Sequence, residues 1–166
     1  GGKLKVEVYP SMQLGGRPPQ LYDQAKDGVV DIVWTLAGNT PGRFPRLEVF
    51  ELPWVPSAKA IVTSQAAWDF HEAYAKDETK DVKMLAVFAH AKGNIYTKDK
   101  DIKRPEDLKG LKVRVPTRTI NDTLVLLGAS PQGIPAPGVP EALAKGVVDG
   151  VMFPYEVVPA LKVDEL

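Results

Sequence analysis

The chain has 166 residues, of which 44% are hydrophobic and 25% are charged, a composition typical of a folded globular protein and not of a disordered one. Lysine plus arginine and aspartate plus glutamate both number 21, and this balance argues against a nucleic-acid-binding protein, which normally carries a basic excess. The absence of cysteine excludes disulfides and thiolate metal sites, and no apolar run reaches the ~18 residues that a membrane helix needs.

The patterns in the first part of the chain predict three strands and two helices. Apolar and polar side chains alternate in the first strand, as in a half-buried strand, and the other two strands are apolar runs typical of strands buried on both faces. The shorter helix is expected to end at Gly28, a residue type favoured after a helix C-cap. The strands are 4–9, 29–36 and 82–90, and the helices are 20–28 and 57–80.

The remainder of the chain shows a denser succession of short elements. The strand "GNIYT" is followed by a charged turn and a short helix that starts near Pro105 and stops at Gly110. The next strand, "LKVRV", places Arg114 opposite its apolar face and ends before Pro116. The last predicted elements are a helix stopped by Gly128, a short strand within 130–138, a helix at 139–146 and a strand at 147–153.

Strands that alternate with helices predict an α/β fold with a mixed sheet, and ligands are expected at the carboxyl ends of its strands. The segments "AKDGVVDIV" at 25–33 and "LAKGVVDGV" at 143–151 both present a helix end, a glycine and a buried strand. This internal similarity favours two α/β lobes of similar build.

The sequence lacks the usual catalytic and nucleotide-binding motifs, including the P-loop, the dinucleotide-binding glycine pattern, the nucleophile elbow and H-E-x-x-H. With two histidines and no cysteine, a nucleophile–base pair is hard to assemble. We interpret His71 as a surface residue of the long helix and His90 as a structural residue at a strand end. We predict no metal site and no cofactor.

Arg114 is the residue that most suggests a binding site. One interpretation is a surface strand arginine that is paired with a nearby carboxylate. The other is a fixed clamp for a carboxylate ligand at the carboxyl edge of the sheet, because a guanidinium fork matches both carboxylate oxygens. The pattern leaves both alternatives open.

Several segments appear in an order and spacing that resemble a known family. They are "YPSMQLGG", "GVVDIVW", "FELPWV", "RPEDLKGLKVRVP", "LGASP" and "PEALAKGVVDG", and together they resemble the solute-binding subunit of tripartite ATP-independent periplasmic (TRAP) transporters, the DctP-like family. The resemblance covers essentially the whole chain. It implies a periplasmic-binding-protein-like α/β fold, in which two lobes with mixed sheets close on an organic acid in the cleft between them. It also implies transport and not catalysis, with delivery of the acid to TRAP membrane permease subunits.

The resemblance also implies site residues by their positions. The arginine of the "K-x-R-V-P" motif is implied to bind the ligand's carboxylate, and in this sequence that residue is Arg114. Other implied pocket positions follow the strands at 29–36 and 147–153. They are Trp34, Thr35, Asn39, Phe153, Tyr155 and Glu156, with core packing as the alternative for Trp34 and Phe153.

One position departs from the family pattern. Many members carry a second arginine in a "G-x-R-x-x-T" stretch, whereas "GNIYT" has Asn94 at that offset. Asn94 can hydrogen-bond a ligand oxygen but brings no charge. Arg118 is expected either to compensate for the missing cation or to be a solvated arginine at a helix start.

Members of the family are longer than this chain, so the resemblance implies that lobe one, at 1–90, is incomplete at its N-terminus and that lobe two, at 91–166, is incomplete at its C-terminus. We expect the chain to self-associate, because incomplete sheets expose edges. The implied protein is periplasmic, exported by a signal peptide that lies outside this sequence. Its ligand stays open among a C4-dicarboxylate, a 2-oxo or 2-hydroxy acid and an aromatic acid. The alternative functions are a ligand-sensing module for a signalling partner and an enzyme that acts on a small acid.

Overall fold

The first part of the chain folds into two helices joined by turns. The computed structural model describes residues 2–10 and 12–166. Helix α1 comprises Leu21–Lys26, and helix α2 comprises Ala60–Phe70 and continues as a π-helical turn, His71–Ala75. Turns of 3₁₀ type lie at Pro18–Gln20, Ala37–Asn39 and Leu47–Glu51.

A small apolar cluster holds α1 against the end of α2. Tyr22 of α1 lies edge-on to Phe44, with ring centroids 4.8 Å apart, and both rings pack with Leu47 and Ala75. Arg46 adds a polar link, because its backbone N–H and its Nε both donate to Oε1 of Glu78, at 2.9 and 3.0 Å. These two bonds hold the chain at Arg46, the residue immediately before the Leu47–Glu51 turn.

The three strands predicted at 4–9, 29–36 and 82–90 do not form. Within the described residues, none of these segments belongs to a β-ladder. A strand needs a neighbour to pair with its N–H and C=O groups, and an apolar run by itself does not supply one. Their apolar side chains stay exposed, for example Val6 at 63% and Leu85 at 66%.

The second part of the chain carries a four-stranded mixed sheet. Its strands are β1 Gly93–Thr97, β2 Val113–Val115, β3 Gln132–Gly133 and β4 Gly150–Pro154. The order is β1-β4-β2-β3, with β1 antiparallel to β4 and with β2 parallel to both β4 and β3. The predicted α/β class with a mixed sheet is confirmed, whereas the division into lobes at residue 90 stays a prediction.

Three helices accompany the sheet. They are α3 Arg118–Leu126, α4 Val139–Ala144 and α5 Val157–Ala160. The helix predicted near Pro105 is instead a 3₁₀ turn, Pro105–Leu108, after which Gly110 turns the chain at a φ of 72°, a backbone angle that glycine adopts readily. Across residues 2–10 and 12–166, no helix has the length and apolarity required to cross a membrane.

The strand register assigns each side chain of the sheet to one of two faces. The first face packs with α3, and its core residues are Leu108, Leu111, Val113, Val115 and Leu124. The second face packs with α4 and α5, and its core residues are Val139, Ala142, Val148, Val151, Phe153, Val158 and Val163. Arg114 pairs with Val151, and paired residues share a face. Arg114 therefore lies on the second face, within apolar surroundings.

Candidate functional site

Arg114 is a buried cation on the second face of the sheet. The residue is 4% exposed, and its guanidinium is held by two main-chain carbonyl groups. Nε donates to the oxygen of Ile134 at 2.7 Å, and Nη1 donates to the oxygen of Met152 at 3.0 Å. Nη2 has no hydrogen-bond partner among the described residues. The guanidinium is thus fixed in orientation and keeps a donor group for an anion.

The charge of Arg114 is not balanced by a carboxylate among the residues that the structure describes. Burial lowers the pKa of its guanidinium to about 10, because the charged form loses hydration and gains no anionic partner. The interpretation of Arg114 as a surface arginine paired with a carboxylate is therefore wrong. A buried cation is costly without a counter-charge, and a guanidinium edge suits a carboxylate.

Phe153 supports the Arg114 guanidinium. The Cζ atom of Arg114 lies 4.3 Å from the centroid of the Phe153 ring, within the range of a cation–π interaction. Phe153 is also 4% exposed and belongs to the apolar cluster of the second face. The core alternative for Phe153 therefore describes its packing, and direct contact with a ligand stays a prediction.

Asn94 lies on the same face of the sheet as Arg114. It pairs with Phe153 in the β1–β4 register, and Phe153 is two residues beyond Val151, the β4 partner of Arg114. Asn94, Phe153 and Arg114 thus form a diagonal row across neighbouring strands. Asn94 is exposed, and its Nδ2 donates to the oxygen of Lys92 at 3.2 Å. The row therefore carries a neutral amide at its β1 end.

Trp34, Thr35 and Asn39 lie in the first part of the chain. Trp34 is 69% exposed, so the core alternative for this residue is wrong. Its ring stacks on that of Phe88, with centroids 5.8 Å apart and an interplanar angle of 15°. Asn39 Nδ2 donates to Thr35 Oγ1 at 3.1 Å. These residues present a flat aromatic surface and a nearby polar pair.

The other predicted site residues lie at the surface. Tyr155 is 70% exposed. Glu156 is also exposed, and its Oε1 accepts a hydrogen bond from the backbone N–H of Ala91 at 3.4 Å. Arg118 pairs with Asp122 one helical turn further on, at 3.7 Å. The geometry of Arg118 is therefore that of a solvated arginine at a helix start.

The predicted residues fall into two groups. Arg114, Phe153 and Asn94 share the second face of the sheet, whereas Trp34 and its neighbours precede α2. Within the described residues, no hydrogen bond or aromatic contact joins one group to the other. The structure thus brings Arg114, Phe153 and Asn94 together and leaves Trp34, Thr35 and Asn39 in a separate group.

Sequence reasoning missed Glu51, a half-buried acid where the two parts of the chain meet. Oε1 of Glu51 accepts a hydrogen bond from the backbone N–H of Gly38 at 2.8 Å, and the hydroxyl of Thr117, three residues after Arg114, lowers the pKa of the Glu51 carboxyl. Burial raises the pKa of the Glu51 carboxyl above its ordinary value. The sequence feature that could have indicated this residue is the segment "FELPWV", in which the glutamate is flanked by apolar residues.

The two histidines are not arranged as a catalytic pair. His71, predicted to be a surface residue, is 3% exposed, and its Nε2 lies 2.8 Å from Thr79 Oγ1. The prediction was wrong because the His71 ring is covered by the ring of Trp68, which stacks on it with centroids 5.8 Å apart, and by Thr79. Within residues 2–10 and 12–166, no group of three or more histidine or acidic side chains is placed to hold a metal ion.

Comparison with known proteins places this geometry in context. The family described as bacterial extracellular solute-binding protein, family 7 (DctP), matches residues 1–166. A TRAP solute-binding protein from Rhodoferax ferrireducens, crystallised with copurified benzoate, is 55% identical with a TM-score of 0.95, over 99% of this chain and 51% of that chain.

Two further proteins extend the comparison. A marine metagenome TRAP solute-binding protein specific for aromatic acid ligands, in complex with 3-hydroxybenzoate, is 57% identical with a TM-score of 0.95, over 99% of this chain and 51% of that chain. The C4-dicarboxylate-binding periplasmic protein DctP of Rhodobacter capsulatus is 31% identical, over 92% of this chain and 46% of that protein. The chain thus spans about half the length of the relatives it matches.

Proposed function

Because this chain belongs to the bacterial extracellular solute-binding protein family 7, we propose that the protein of which it is part captures an organic acid anion in the periplasm. That protein delivers the anion to the membrane permease of a TRAP transporter. The observation that carries the proposal is Arg114, a buried guanidinium with two donors tied to main-chain oxygens and no carboxylate partner among the described residues. A bound carboxylate supplies the missing charge and accepts from the guanidinium.

We propose that the ligand is an aromatic monocarboxylate. Relatives at 55% and 57% identity hold benzoate and 3-hydroxybenzoate. The charge pattern of the second sheet face supports the same class, because buried Arg114 can neutralise one carboxylate while Asn94 is neutral. A second carboxylate of a dicarboxylate would enter without an equivalent cation from Asn94, and an unpaired buried charge is expensive.

The aromatic part of the ligand needs ring surfaces from the protein. Phe153 already packs beside the guanidinium, and the exposed Trp34 ring is held flat by its stack on Phe88. We propose that 1–90 and 91–166 are the two lobes of the complete protein, and that Trp34 faces the ligand when these lobes close. Aromatic rings prefer offset or edge-on packing with one another, which suits a ligand held between such surfaces.

Calorimetry on the complete protein tests the proposed function. The parent should bind benzoate and 3-hydroxybenzoate more tightly than succinate. Replacement of a partner of a buried charge pair costs about 2–5 kcal/mol, so Arg114→Ala should weaken benzoate binding roughly 30-fold to several-thousand-fold.

The matched control is Arg104→Ala, which removes an arginine from the same part of the chain. The Arg104 side chain is 74% exposed and pairs with Asp107, so this variant should bind benzoate like the parent. A parent protein that binds none of these acids would refute the proposed function. An Arg114→Ala variant that binds within twofold of the parent would refute the role of the arginine.

A further inference from the structure

The Glu51 carboxylate lies directly against the backbone of Gly38. Its Oε1 accepts from the backbone N–H of Gly38 at 2.8 Å, and a Cβ atom at Gly38 would lie 2.3 Å from its Oε2. Any side chain at Gly38 would therefore displace the carboxylate. The second oxygen, Oε2, is buried and has no hydrogen-bond partner among the described residues.

Thr117 offers the complementary group from the other part of the chain. It occupies the N-cap position of α3, where a threonine hydroxyl usually accepts from a free N–H of the first turn. Here the side chain makes no such capping bond, and its buried Oγ1 has no partner with hydrogen-bond geometry in the described part of the chain. The Leu47–Glu51 turn, which carries Glu51, packs against α3, and the Thr117 hydroxyl lowers the pKa of the Glu51 carboxyl as a neighbouring hydrogen-bonding group. Two unsatisfied buried oxygens on different parts of the chain thus lie at the same junction.

The Thr117 hydroxyl and the backbone N–H of Gly38 are the two neighbours that most favour the ionised form of the Glu51 carboxyl. Desolvation is the largest influence on its pKa, which it raises. Glu48 of the same turn raises the pKa further, His90 lowers it, and the Thr117 hydroxyl lowers it as well. An ionised carboxylate accepts from the hydroxyl, and a protonated one donates to it, so the contact is available in both states.

A link between Glu51 and Thr117 would affect the proposed anion site, because Arg114, Val115 and Thr117 are all buried. Arg114 is 4% exposed, Val115 1% and Thr117 8%, and the Leu47–Glu51 turn packs against α3. A shift of Thr117 would therefore be transmitted along a short, packed segment to the strand that carries the arginine.

We propose that Glu51 is a positioning residue for ligand binding. Its carboxylate bonds to the Thr117 hydroxyl and so holds the Leu47–Glu51 turn of the first part of the chain against the end of the Arg114 strand. This inference rests on the proposed function for its effect on affinity, but the contact itself is independent of any ligand. Burial of both oxygens excludes direct contact of either atom with a ligand.

The test uses the complete protein and measures two properties in parallel. The first is hydrogen exchange of the backbone amides of Gly38 and of residues 118–121 without ligand. The second is the affinity for 3-hydroxybenzoate by calorimetry. The variants are Glu51→Ala, Thr117→Val, their combination and Thr117→Ser. The control is Glu48→Ala, since Glu48 accepts from the Gly42 N–H at 2.8 Å on the exposed side of the same turn.

We expect Glu51→Ala and Thr117→Val each to accelerate exchange at these amides and to weaken binding about tenfold, with the double variant no weaker than the worse single variant. Thr117→Ser, which keeps the hydroxyl, and Glu48→Ala should behave like the parent. Unchanged exchange in Glu51→Ala, or effects of the two substitutions that simply add, would overturn the proposal. If the parent fails to bind the acid, the proposed function falls, and the exchange data still decide whether the contact exists.

Discussion

The Cζ atom of Arg114 lies 4.3 Å from the centroid of the Phe153 ring, and Phe153 belongs to the apolar cluster of the second sheet face. The ring helps to offset the loss of hydration around the guanidinium, and cation–π contacts contribute about 0.5–2 kcal/mol. In the complete protein, we expect Phe153→Leu to weaken benzoate binding by roughly 2- to 30-fold, while far-ultraviolet circular dichroism shows an intact fold. Affinity equal to that of the parent would show that the ring serves only the core.

Arg114→Lys separates charge from geometry at the same position. A lysine restores a cation but cannot reproduce a fork that donates to Ile134, Met152 and a carboxylate at once. We therefore expect calorimetry to give an affinity for benzoate between those of the parent and Arg114→Ala. Full recovery by lysine would mean that net charge, and not bidentate geometry, determines binding.

Asn94→Asp tests whether the β1 end of the row faces the ligand. A carboxylate at this position would repel an acid held at Arg114, so affinity should fall. The fall in affinity should be larger for a dicarboxylate such as succinate than for benzoate, because the second carboxylate of succinate would lie near the introduced aspartate. Equal affinities of the variant and the parent for both acids would show that Asn94 points away from the site.

Glu51 should impose a pH dependence on stability. Its pKa in the folded protein is raised above the ordinary value of 4.5, so the folded state holds its proton more tightly than the unfolded state. The corresponding contribution to the free energy of unfolding is fully present below the unfolded pKa and is lost as the pH rises through the folded pKa.

Glu51→Gln removes this titration. Urea unfolding of parent and variant at about pH 4 and about pH 8 should show that the parent loses more stability than the variant between the two. Glu141→Gln, which replaces an exposed glutamate of α4 that pairs with Lys145, serves as the control and should follow the parent. A parent and a Glu51→Gln variant with identical pH profiles would show that the Glu51 carboxyl titrates alike in the folded and unfolded states.

The chain of 166 residues should self-associate when prepared alone. Its unpaired segments expose apolar side chains, including Leu4 at 83%, Ile32 at 62% and Leu85 at 66%, and exposed apolar patches promote association. Light scattering across a range of concentrations is the measurement. A mass of 18.1 kDa at every concentration would contradict the expectation.

The sequence patterns predicted the second part of the chain better than the first. "GNIYT" and the strand around Arg114 were recognised from alternation, and both have neighbours in the sheet that satisfy their backbone groups. The runs at 29–36 and 82–90 have the same apolar character but no ladder partner within the described residues. Local pattern reports which side chains prefer burial, whereas strand formation also depends on a partner elsewhere in the chain.

The candidate site was likewise only partly predictable from the sequence. The position of Arg114 on a short strand followed from alternation, but its burial depended on β4 and on the segment after β3, which are distant in sequence. Glu51 was passed over because acidic residues usually face solvent. Its burial depends on Gly38 and Thr117, and neither is a neighbour of Glu51 in the sequence.

The two hydrogen bonds that the Arg114 guanidinium donates to main-chain carbonyl oxygens restrict how the proposed ligand site can be redesigned. The oxygens of Ile134 and Met152 fix the direction of the guanidinium without a ligand, so the carboxylate anchor that we propose for Arg114 would form at low ordering cost. Altered ligand preference is therefore best sought on surfaces that the fold uses less heavily, such as the exposed ring of Trp34. Directed evolution towards larger or more polar acids should accumulate substitutions there and retain the arginine.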